Sequence, residues 1–473
     1  MATEIPDNAA SISRVTLERL AGRPLPELPP VLHGATTDTR RLRPGMLYVA
    51  LRGEQHDGHT FVAQALARGA AACLVEDGAG GERVVNVPDT LIAWGEIARE
   101  HLQGLRAEHG TIVVAITGSA GKTTTKEMTA ALLAERGDTE ATRGNLNNRI
   151  GLPATVLAAT APRFLVLEAG MSLVGEMAEL ARIARPDVAA IVNVGIAHAE
   201  GVGGREGIAV EKGALYTGLA EGGTAVVAAD DTFVEQAAER APTGTVAIRF
   251  GAADTADYRL LWRVVGPTGA NLALVRRGEL LQLRSPFEGA AQALDLACAL
   301  AIADRAAVLS GQAELSVAEI EHALGQVVLE GRGSRHAFTG GGFVVDDTYN
   351  ANPDSMARAV ELLGELAGPR RRVLILGEMR ELGSHASLAH TELGETVAAA
   401  RPGLVIGCGG LAELVLAVAE RAKIPVIRAA DAAEAALLAT DAVLPEDAVL
   451  VKASRGVRAE RVVHALRERL GER

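Results

Sequence analysis

Aromatic residues and cysteines are scarce in this chain. Of its 473 residues, 3% are Phe, Trp or Tyr, which is too few for a surface on which nucleic-acid bases stack. The three cysteines, Cys73, Cys298 and Cys408, stand in apolar or Gly-rich sequence. We therefore expect small buried thiols in a reducing compartment, and neither a disulfide nor a zinc site.

Positive charge and long apolar runs are lacking as well. Lys and Arg number 47 against 59 Asp and Glu, a net charge of −12 without a local basic stripe, so we expect no nucleic-acid partner. The first ten residues lack the basic start and apolar core of a secretory signal. No apolar run approaches the roughly 18 residues that cross a bilayer. These absences predict a cytoplasmic protein without membrane insertion.

Apolar residues (48%) and 52 glycines are abundant, which is typical of an α/β protein with large cores. At roughly 150 residues per domain, the length predicts about three domains. Strand-like and helix-like segments alternate from residue 111 onward, so we expect βαβ units on parallel sheets. The predicted strands span residues 46–51, 72–75, 111–117, 164–167, 188–192, 224–228, 342–346, 372–376, 404–408 and 448–452. The predicted helices span residues 61–69, 89–106, 123–135, 175–184, 290–309, 355–366, 385–400 and 459–470.

The sharpest local signal is the run VVAITGSAGKTTT at residues 113–125. An apolar strand enters a Gly-rich turn, and a Lys-Thr pair opens a helix. Gly118 and Gly121 let backbone N–H groups converge on one point, where the helix N-terminus adds partial positive charge. Lys122 can then reach the phosphates of a nucleotide, and the Thr123 hydroxyl can bind Mg²⁺. The alternative, a Gly-rich turn with a surface lysine, leaves this order of elements unexplained.

Two further predicted strands end near residues that suit the same site. Glu168 directly follows the strand at 164–167, and His198 comes after the strand at 188–192. Parallel α/β sheets place ligands at the carboxyl ends of their strands, and Mg²⁺ prefers oxygen ligands such as carboxylates. A lone histidine is usually a plain surface or core residue, but this position favours a functional role. We therefore expect both side chains near the phosphate loop.

The order of motifs along the chain resembles the Mur ligase family of ATP-dependent amide-forming enzymes. The phosphate loop TGSAGKTT at 117–124, with two residues between its glycines instead of four, has that family's form. The runs GNLNNRIGLP at 144–153, DDTYNANPDSM at 346–356 and LGEMRELG at 376–383 are similar to loops of members that add D-alanyl-D-alanine. The run TDTR at 37–40 is similar to the family's nucleotide-sugar domain. The resemblance spans the whole chain.

This resemblance implies a three-domain architecture. A small N-terminal α/β domain (1–87) would bind the UDP substrate, and a central P-loop parallel-sheet domain (88–333) would bind ATP. A C-terminal Rossmann-like domain (334–473) would close on ATP and the incoming dipeptide. The implied enzyme joins D-alanyl-D-alanine to UDP-N-acetylmuramoyl-tripeptide through an acyl phosphate, producing ADP and phosphate, and our default expectation is a monomer. That reaction is the last cytoplasmic step in building the UDP-muramoyl-pentapeptide of peptidoglycan.

The resemblance also implies roles for individual residues, carried over by position. The catalytic residues would be Lys122, Glu168, His198 and Lys212. Two Mg²⁺ ions would be held by Thr123, Glu168, His198 and Lys212, the last of these carbamylated by CO₂ to N6-carboxylysine. The residues that would bind ATP are Thr117, Gly118, Ser119, Ala120, Gly121, Lys122, Thr123, Thr124, Gln292, Arg332 and Asp347. The residues that would bind the other substrates are Thr37, Asp38, Thr39, Arg40, Asn145, Asn147, Asn148, Tyr349, Asn350, Asn352, Ser355, Lys452 and Arg455, with Ser454 nearby.

Two of these assignments have weak support in the residues themselves. Without the resemblance, Lys212 reads as a helix-surface lysine beside Glu211. The family usually opens one helix with Gly-x-His-Asn-x-x-Asn near the adenine, but this chain has Ala291, Gln292 and Asp295 at the His and Asn positions. Gln292 can keep an amide contact with adenine, whereas the histidine is lost.

Two other interpretations remain at the level of sequence. A sister ligase, such as a tripeptide synthetase or a folylpolyglutamate synthase-like enzyme, would share the fold and add another amino acid. A P-loop NTPase switch would need only nucleotide hydrolysis, and it leaves the Asn-rich loops unexplained. The sequence names neither the third residue of the tripeptide nor the base that deprotonates the amine.

Overall fold

The structure is a computed structural model, and it describes residues 4–53, 56–76, 78, 80–195, 203–266 and 268–471. His198, one of the predicted metal ligands, lies outside the described residues. Among the helices in these ranges, none combines the length and the apolar character that a membrane span requires.

The first unit is a small α/β layer. Its strands β3 to β6 form a parallel sheet in chain order, and β1 pairs with β2 beside it. The elements are β1 Ser11–Ser13, α1 Arg14–Ala21, β2 Val31–His33, β3 Ala35–Thr36, β4 Leu47–Val49, α2 Val62–Ala67, β5 Ala72–Val75 and β6 Val84–Asn86.

The central unit is built on one large sheet with the strand order β15-β14-β13-β12-β11-β10-β7-β9-β8. Its first elements are α3 Thr90–His109, β7 Ile112–Thr117, α4 Lys122–Ala134, β8 Thr139–Ala141, α5 Gly151–Ala158, β9 Phe164–Glu168, α6 Glu176–Ala184 and β10 Val188–Ile191. The others are α7 Gly204–Thr217, β11 Thr224–Ala228, α8 Thr232–Ala238, β12 Val246–Gly251, β13 Tyr258–Gly266, β14 Gly269–Arg276, β15 Glu279–Ser285, α9 Ala290–Leu309 and α10 Val317–Gly325.

The third unit carries a second open sheet in the order β16-β17-β21-β18-β19-β20, parallel except for β16. Its elements are β16 Ser334–Ala337, β17 Phe343–Asp347, α11 Pro353–Ala367, β18 Arg372–Leu376, α12 Ala386–Ala400, β19 Leu404–Cys408, α13 Ala412–Arg421, β20 Val426–Ala429, α14 Ala432–Ala442, β21 Ala448–Lys452 and α15 Glu460–Leu470. Separate apolar clusters cover its two faces.

The α/β prediction is confirmed, and every predicted strand and helix occurs near its expected place. One part of the pattern differs, because β13, β14 and β15 extend the parallel sheet as antiparallel hairpins. In β15 buried Leu281 and Leu283 alternate with exposed neighbours, which is the period of a half-exposed strand. The three cysteines are buried, as expected.

Strands β9, β7 and β10 are neighbours in the central sheet and run parallel. The six residues of β7 are all buried, as a strand covered on both faces requires. Because the carboxyl ends of parallel strands meet at one edge, the residues that follow these three strands are brought together. The core also continues from the first unit into the central one, with Leu17, Leu47 and Trp94 in a single cluster.

Candidate active site

The phosphate loop joins β7 to α4, and two of its glycines have no room for a side chain. A Cβ on Gly121 would lie 2.4 Å from Oδ1 of Asp295, and one on Gly118 would lie 3.0 Å from Cβ of Val192. Gly121 also has a φ of 80°, a conformation that glycine adopts without strain. The loop therefore turns tightly against its neighbours, and the open N-terminus of α4 faces the edge of the sheet.

Asn193 braces this loop from the end of β10. Its Oδ1 accepts a hydrogen bond from the Ala120 amide at 2.9 Å, and its Nδ2 donates to the Ala120 carbonyl at 3.0 Å. Ser119 also bonds to this segment, through its amide to the Asn193 carbonyl and through its hydroxyl, which accepts from the Gly195 amide. Asn193 was not among the predicted site residues. Its place after a predicted parallel strand was the signal that could have found it.

The ammonium groups of two lysines bond to the phosphate loop. Nζ of Lys122 donates to the Gly118 carbonyl at 2.6 Å, and Nζ of Lys212, from α7, donates to the same oxygen at 3.1 Å. Lys212 is 2% exposed, so its interpretation as a surface lysine is wrong. Burial and then the charge of Lys122 hold the pKa of Lys212 well below its usual value, although Glu211 opposes them. The pKa of Lys122 is lowered as well, chiefly by burial.

Glu168 lies across from the start of α4 and is 2% exposed. Its Oε2 accepts from the Thr123 hydroxyl at 2.7 Å, and its Oε1 accepts from Nδ2 of Asn147 at 2.7 Å. The backbone amide of Glu168 donates to Oγ1 of Thr142 at 2.9 Å. The structure therefore brings the phosphate loop, the end of β9 and the Asn-rich loop into one cluster.

Arg332 connects this cluster to the third unit. Its Nη2 donates to the Thr123 hydroxyl at 2.9 Å, while its guanidinium lies 3.7 Å from the centre of the Tyr349 ring. Arg455 reaches the same tyrosine, with Nη1 3.1 Å from the hydroxyl oxygen. Cation–π contacts of this kind favour arginine over lysine. Arg332 thus connects the loop after β17 to the start of α4, and Arg455 holds Tyr349 from within the third unit.

The other polar residues predicted in the third unit are mostly engaged with one another. Nζ of Lys452 donates to Oδ2 of Asp347 at 2.6 Å and to the Asn350 carbonyl at 3.0 Å. Asn352 and Ser355 form a capping box at the start of α11, which is a structural task. Ser454 Oγ accepts from the Arg380 amide at 2.9 Å. Together these bonds fix the carboxyl end of the second sheet.

A cavity of about 600 Å³ lies between the central and third units, with Phe287, Gln292, Arg332 and Phe343 among its lining residues. Within it, Gln292 accepts from the Gly289 amide at 2.9 Å and donates to the Arg332 carbonyl at 3.0 Å. This amide therefore already braces the wall of the cavity. Its size is that of pockets which hold small ligands.

The remaining predicted residues divide into two groups. Thr117 and Thr124 are buried beside the loop, and Asn148 caps α5 through bonds from the Ile150 and Gly151 amides. The predicted run at 37–40 follows β3, and its described contacts stay within the first unit. Asp38 pairs with Arg40, Thr39 bonds to Gln64, and no contact of Thr37 with the phosphate loop occurs in the described structure.

The donors at the loop fit a hard divalent cation. A hydroxyl and a buried carboxylate, from Thr123 and Glu168, are the oxygen ligands that Mg²⁺ uses beside phosphate oxygens. Within the described residues no group of three or more His, Cys, Asp or Glu side chains is placed to hold a metal by itself.

Backbone amides, one reachable ammonium and a carboxylate at the edge of a parallel sheet define a nucleotide-dependent phosphoryl-transfer enzyme. Three family models match most of the chain. They are the Mur ligase family catalytic domain at residues 31–120, the Mur ligase middle domain at 116–303 and the Mur ligase glutamate ligase domain at 331–455. The chain belongs to the Mur ligase family.

Curated relatives and solved structures agree with this family. A Bacillus subtilis protein is 36% identical over 78% of each chain, and an Escherichia coli protein is 37% identical over 80% of this chain and 81% of its own. Both are named UDP-N-acetylmuramoyl-tripeptide–D-alanyl-D-alanine ligase. Crystal structures of MurF superpose with TM-scores of 0.84 (Acinetobacter baumannii, 28% identical, 97% and 99% covered) and 0.80 (Thermotoga maritima with ADP, 29% identical, 92% and 97% covered).

Proposed function

We propose that this protein is an ATP-dependent ligase that joins D-alanyl-D-alanine to UDP-N-acetylmuramoyl-tripeptide. The observation that carries the proposal is the similarity to ligases of that name over about four fifths of each chain. The contact between Asn147 of the Asn-rich loop and Glu168 beside the phosphate loop supports it.

The reaction must convert a carboxylate oxygen into a leaving group. The terminal carboxylate of the UDP-tripeptide attacks the γ-phosphorus of ATP, and the bond to ADP breaks as the acyl phosphate forms. The amine of D-alanyl-D-alanine then attacks the acyl carbon, and phosphate departs. Negative charge gathers in both steps, so the amides at 118–121, Lys122 and Arg332 act chiefly by holding and neutralising it.

Thr123 and Glu168 would hold Mg²⁺ on the nucleotide, and Lys212 and His198 would contribute to a second ion. The cation supplies charge neutralisation at the phosphates. A protonated Lys212 would repel it, whereas N6-carboxylysine carries an anionic oxygen. Carbamylation needs a neutral amine, and the lowered pKa of buried Lys212 favours that form.

We assign the three substrates to three regions. The first unit (1–87), with the run at 37–40, would hold the UDP moiety, and the central unit (88–333) would hold ATP with adenine in the 600 Å³ cavity. The third unit (334–473) would bind the dipeptide through the loops after β17 and β21. Closure of these units would exclude the water that hydrolyses an acyl phosphate. A monomer working in the cytoplasm, where ATP and UDP-linked precursors are made, fits this arrangement.

The proposal is tested by phosphate release from ATP and magnesium with each substrate present or omitted. We expect release only when UDP-tripeptide and D-alanyl-D-alanine are both present, with the UDP-pentapeptide formed in equal amount. Release with neither present indicates the switch. Release that requires a single amino acid instead of the dipeptide indicates a sister ligase. Comparing tripeptides with diaminopimelate and lysine at the third position would identify the natural substrate.

A further inference from the structure

The 600 Å³ cavity between the central and third units has one acidic side chain in its wall. Phe287 and Phe343 are among the apolar lining residues, and Arg332, which bonds to Thr123 at the phosphate loop, also lines it. Among the lining residues that the structure describes, Glu288 is the one with a carboxyl group. The cavity therefore adjoins the phosphate loop and offers a ligand apolar surface together with a single acidic group.

Gln292, the residue expected to contact adenine, is already engaged with the backbone. Its side-chain oxygen accepts from the Gly289 amide at 2.9 Å, and its side-chain nitrogen donates to the Arg332 carbonyl at 3.0 Å. The first of these bonds belongs to the capping box of α9, so the orientation of this amide is set by the helix start. Ala291 stands at the position of the family's histidine and has no hydrogen-bonding side chain. The polar edge of a base in this cavity therefore needs another partner.

Glu288 is buried, and one of its carboxyl oxygens lacks a hydrogen bond. The residue is 6% exposed. Nη2 of Arg335 lies 2.7 Å from Oε1, but it is not directed as a hydrogen bond requires, and Oε1 has no hydrogen-bond partner in the described structure. Burial raises the pKa of Glu288, while Arg335 and Arg263 oppose that rise. The carboxyl group keeps an acceptor oxygen in either protonation state, and a buried acceptor without a donor costs free energy that a bound donor recovers.

We propose that Glu288 determines the base specificity of the nucleotide site by accepting a hydrogen bond from the 6-amino group of adenine. This inference rests on the proposed function, which places adenine in this cavity. Adenine presents an amino donor at the position where guanine presents the acceptor oxygen O6. A carboxylate oxygen therefore attracts the amino group of adenine and repels the oxygen of guanine.

The apolar walls and the carboxyl group divide the recognition between them. Aromatic and aliphatic surfaces such as Phe287 and Val327 can pack against the face of any purine, so they supply affinity without choosing the base. A polar group at the edge supplies the choice, because the wrong base leaves it unpaired. One hydrogen bond to a charged group changes affinity by a factor of about ten or more.

The test measures the binding of three nucleotides to the full-length chain with magnesium by isothermal titration calorimetry. They are ATP, purine riboside triphosphate, which lacks the 6-amino group, and GTP. We expect the wild-type protein to bind ATP at least about tenfold more tightly than either of the others. In Glu288→Leu, which removes both carboxyl oxygens, the affinities for ATP and the purine analogue should agree within about threefold. Glu288→Gln, which keeps one acceptor oxygen, should restore part of the preference for ATP.

Glu330→Leu is the matched control, because Glu330 is an exposed acid two positions before Arg332, and it should keep the wild-type preference. A wild-type protein that binds the purine analogue or GTP as tightly as ATP would overturn the proposal, and this comparison needs no variant to fold. Full preference for ATP in Glu288→Leu would overturn it as well. A protein that shows the expected preference but ligates no dipeptide would instead refute the proposed function.

Discussion

Lys122 and Lys212 donate to one carbonyl oxygen, that of Gly118, at 2.6 and 3.1 Å. They come from different helices, α4 and α7, so only the packed sheet brings them together. Two ammonium groups at this separation repel each other in a buried site. One of them is therefore held toward its neutral form, and Lys212, with the larger lowering of its pKa, is that residue.

Lys212→Ala tests the carbamate. We expect a loss of at least about 100-fold in kcat, because an anionic oxygen beside the phosphates is removed. A short-chain carboxylic acid should restore part of the activity, and the wild-type enzyme should lose activity when bicarbonate is removed. Lys423→Ala, an exposed lysine of the third unit, is the control for a lysine deletion. Unchanged turnover of Lys212→Ala without bicarbonate would contradict the carbamate.

Lys122→Ala tests the phosphate loop. We expect turnover to fall below detection or by at least about 100-fold, because the ammonium that the phosphate loop itself supplies to the transferred phosphoryl group is lost. The measurements are steady-state phosphate release and titration of a fluorescent ATP analogue with magnesium. Normal turnover would show that the nucleotide phosphates lie elsewhere.

Arg332→Lys tests the link between the central and third units. The variant keeps the positive charge but loses the planar contact with Tyr349 and the bond geometry to Thr123. We expect KM for ATP to rise about tenfold, and Arg332→Ala to cost more. Arg240→Ala, an exposed arginine on the outer face of the central unit, should leave KM unchanged. Equal KM values in all three variants would show that Arg332 does not reach the nucleotide.

Asp295→Asn tests the buried acid beside Gly121. Burial raises the pKa of Asp295 from 3.8 to about 7, although Arg358 and Arg332 oppose it. In the unfolded chain this carboxyl ionises near pH 4. Between about pH 4 and 7 only the unfolded state gives up the proton, so this group lowers the stability of the fold as the pH rises through that window.

The asparagine variant does not titrate, so its gain in stability over wild type should be larger at about pH 8 than at about pH 5. Thermal unfolding at the two pH values measures the difference, which we expect to be several degrees in Tm. A gain that is larger at the lower pH would contradict the raised pKa. Asp254→Asn, a surface acid, provides the comparison for a simple change of net charge.

Much of the fold could be predicted from local pattern. The β-branched run before the phosphate loop is a buried strand, and Glu168 ends a neighbouring strand, as the spacing indicated. The antiparallel strands β13 to β15 were missed, although buried and exposed residues alternate in β15, because the prediction assumed strands that alternate with helices. Asn193 was given no role, since an asparagine is not distinctive until the loop it touches is known.

By itself, the sequence determined that this is an α/β protein with a nucleotide phosphate loop, because strand hydrophobicity, Gly-Lys-Thr spacing and helix starts are local properties of the chain. Tertiary structure alone decided that Lys212 is buried beside Lys122 and that Arg332 connects Thr123 to Tyr349. Those contacts join residues tens to hundreds of positions apart along the chain. They are stabilised by the packing of sheets and helices against one another, so a local sequence pattern cannot predict them.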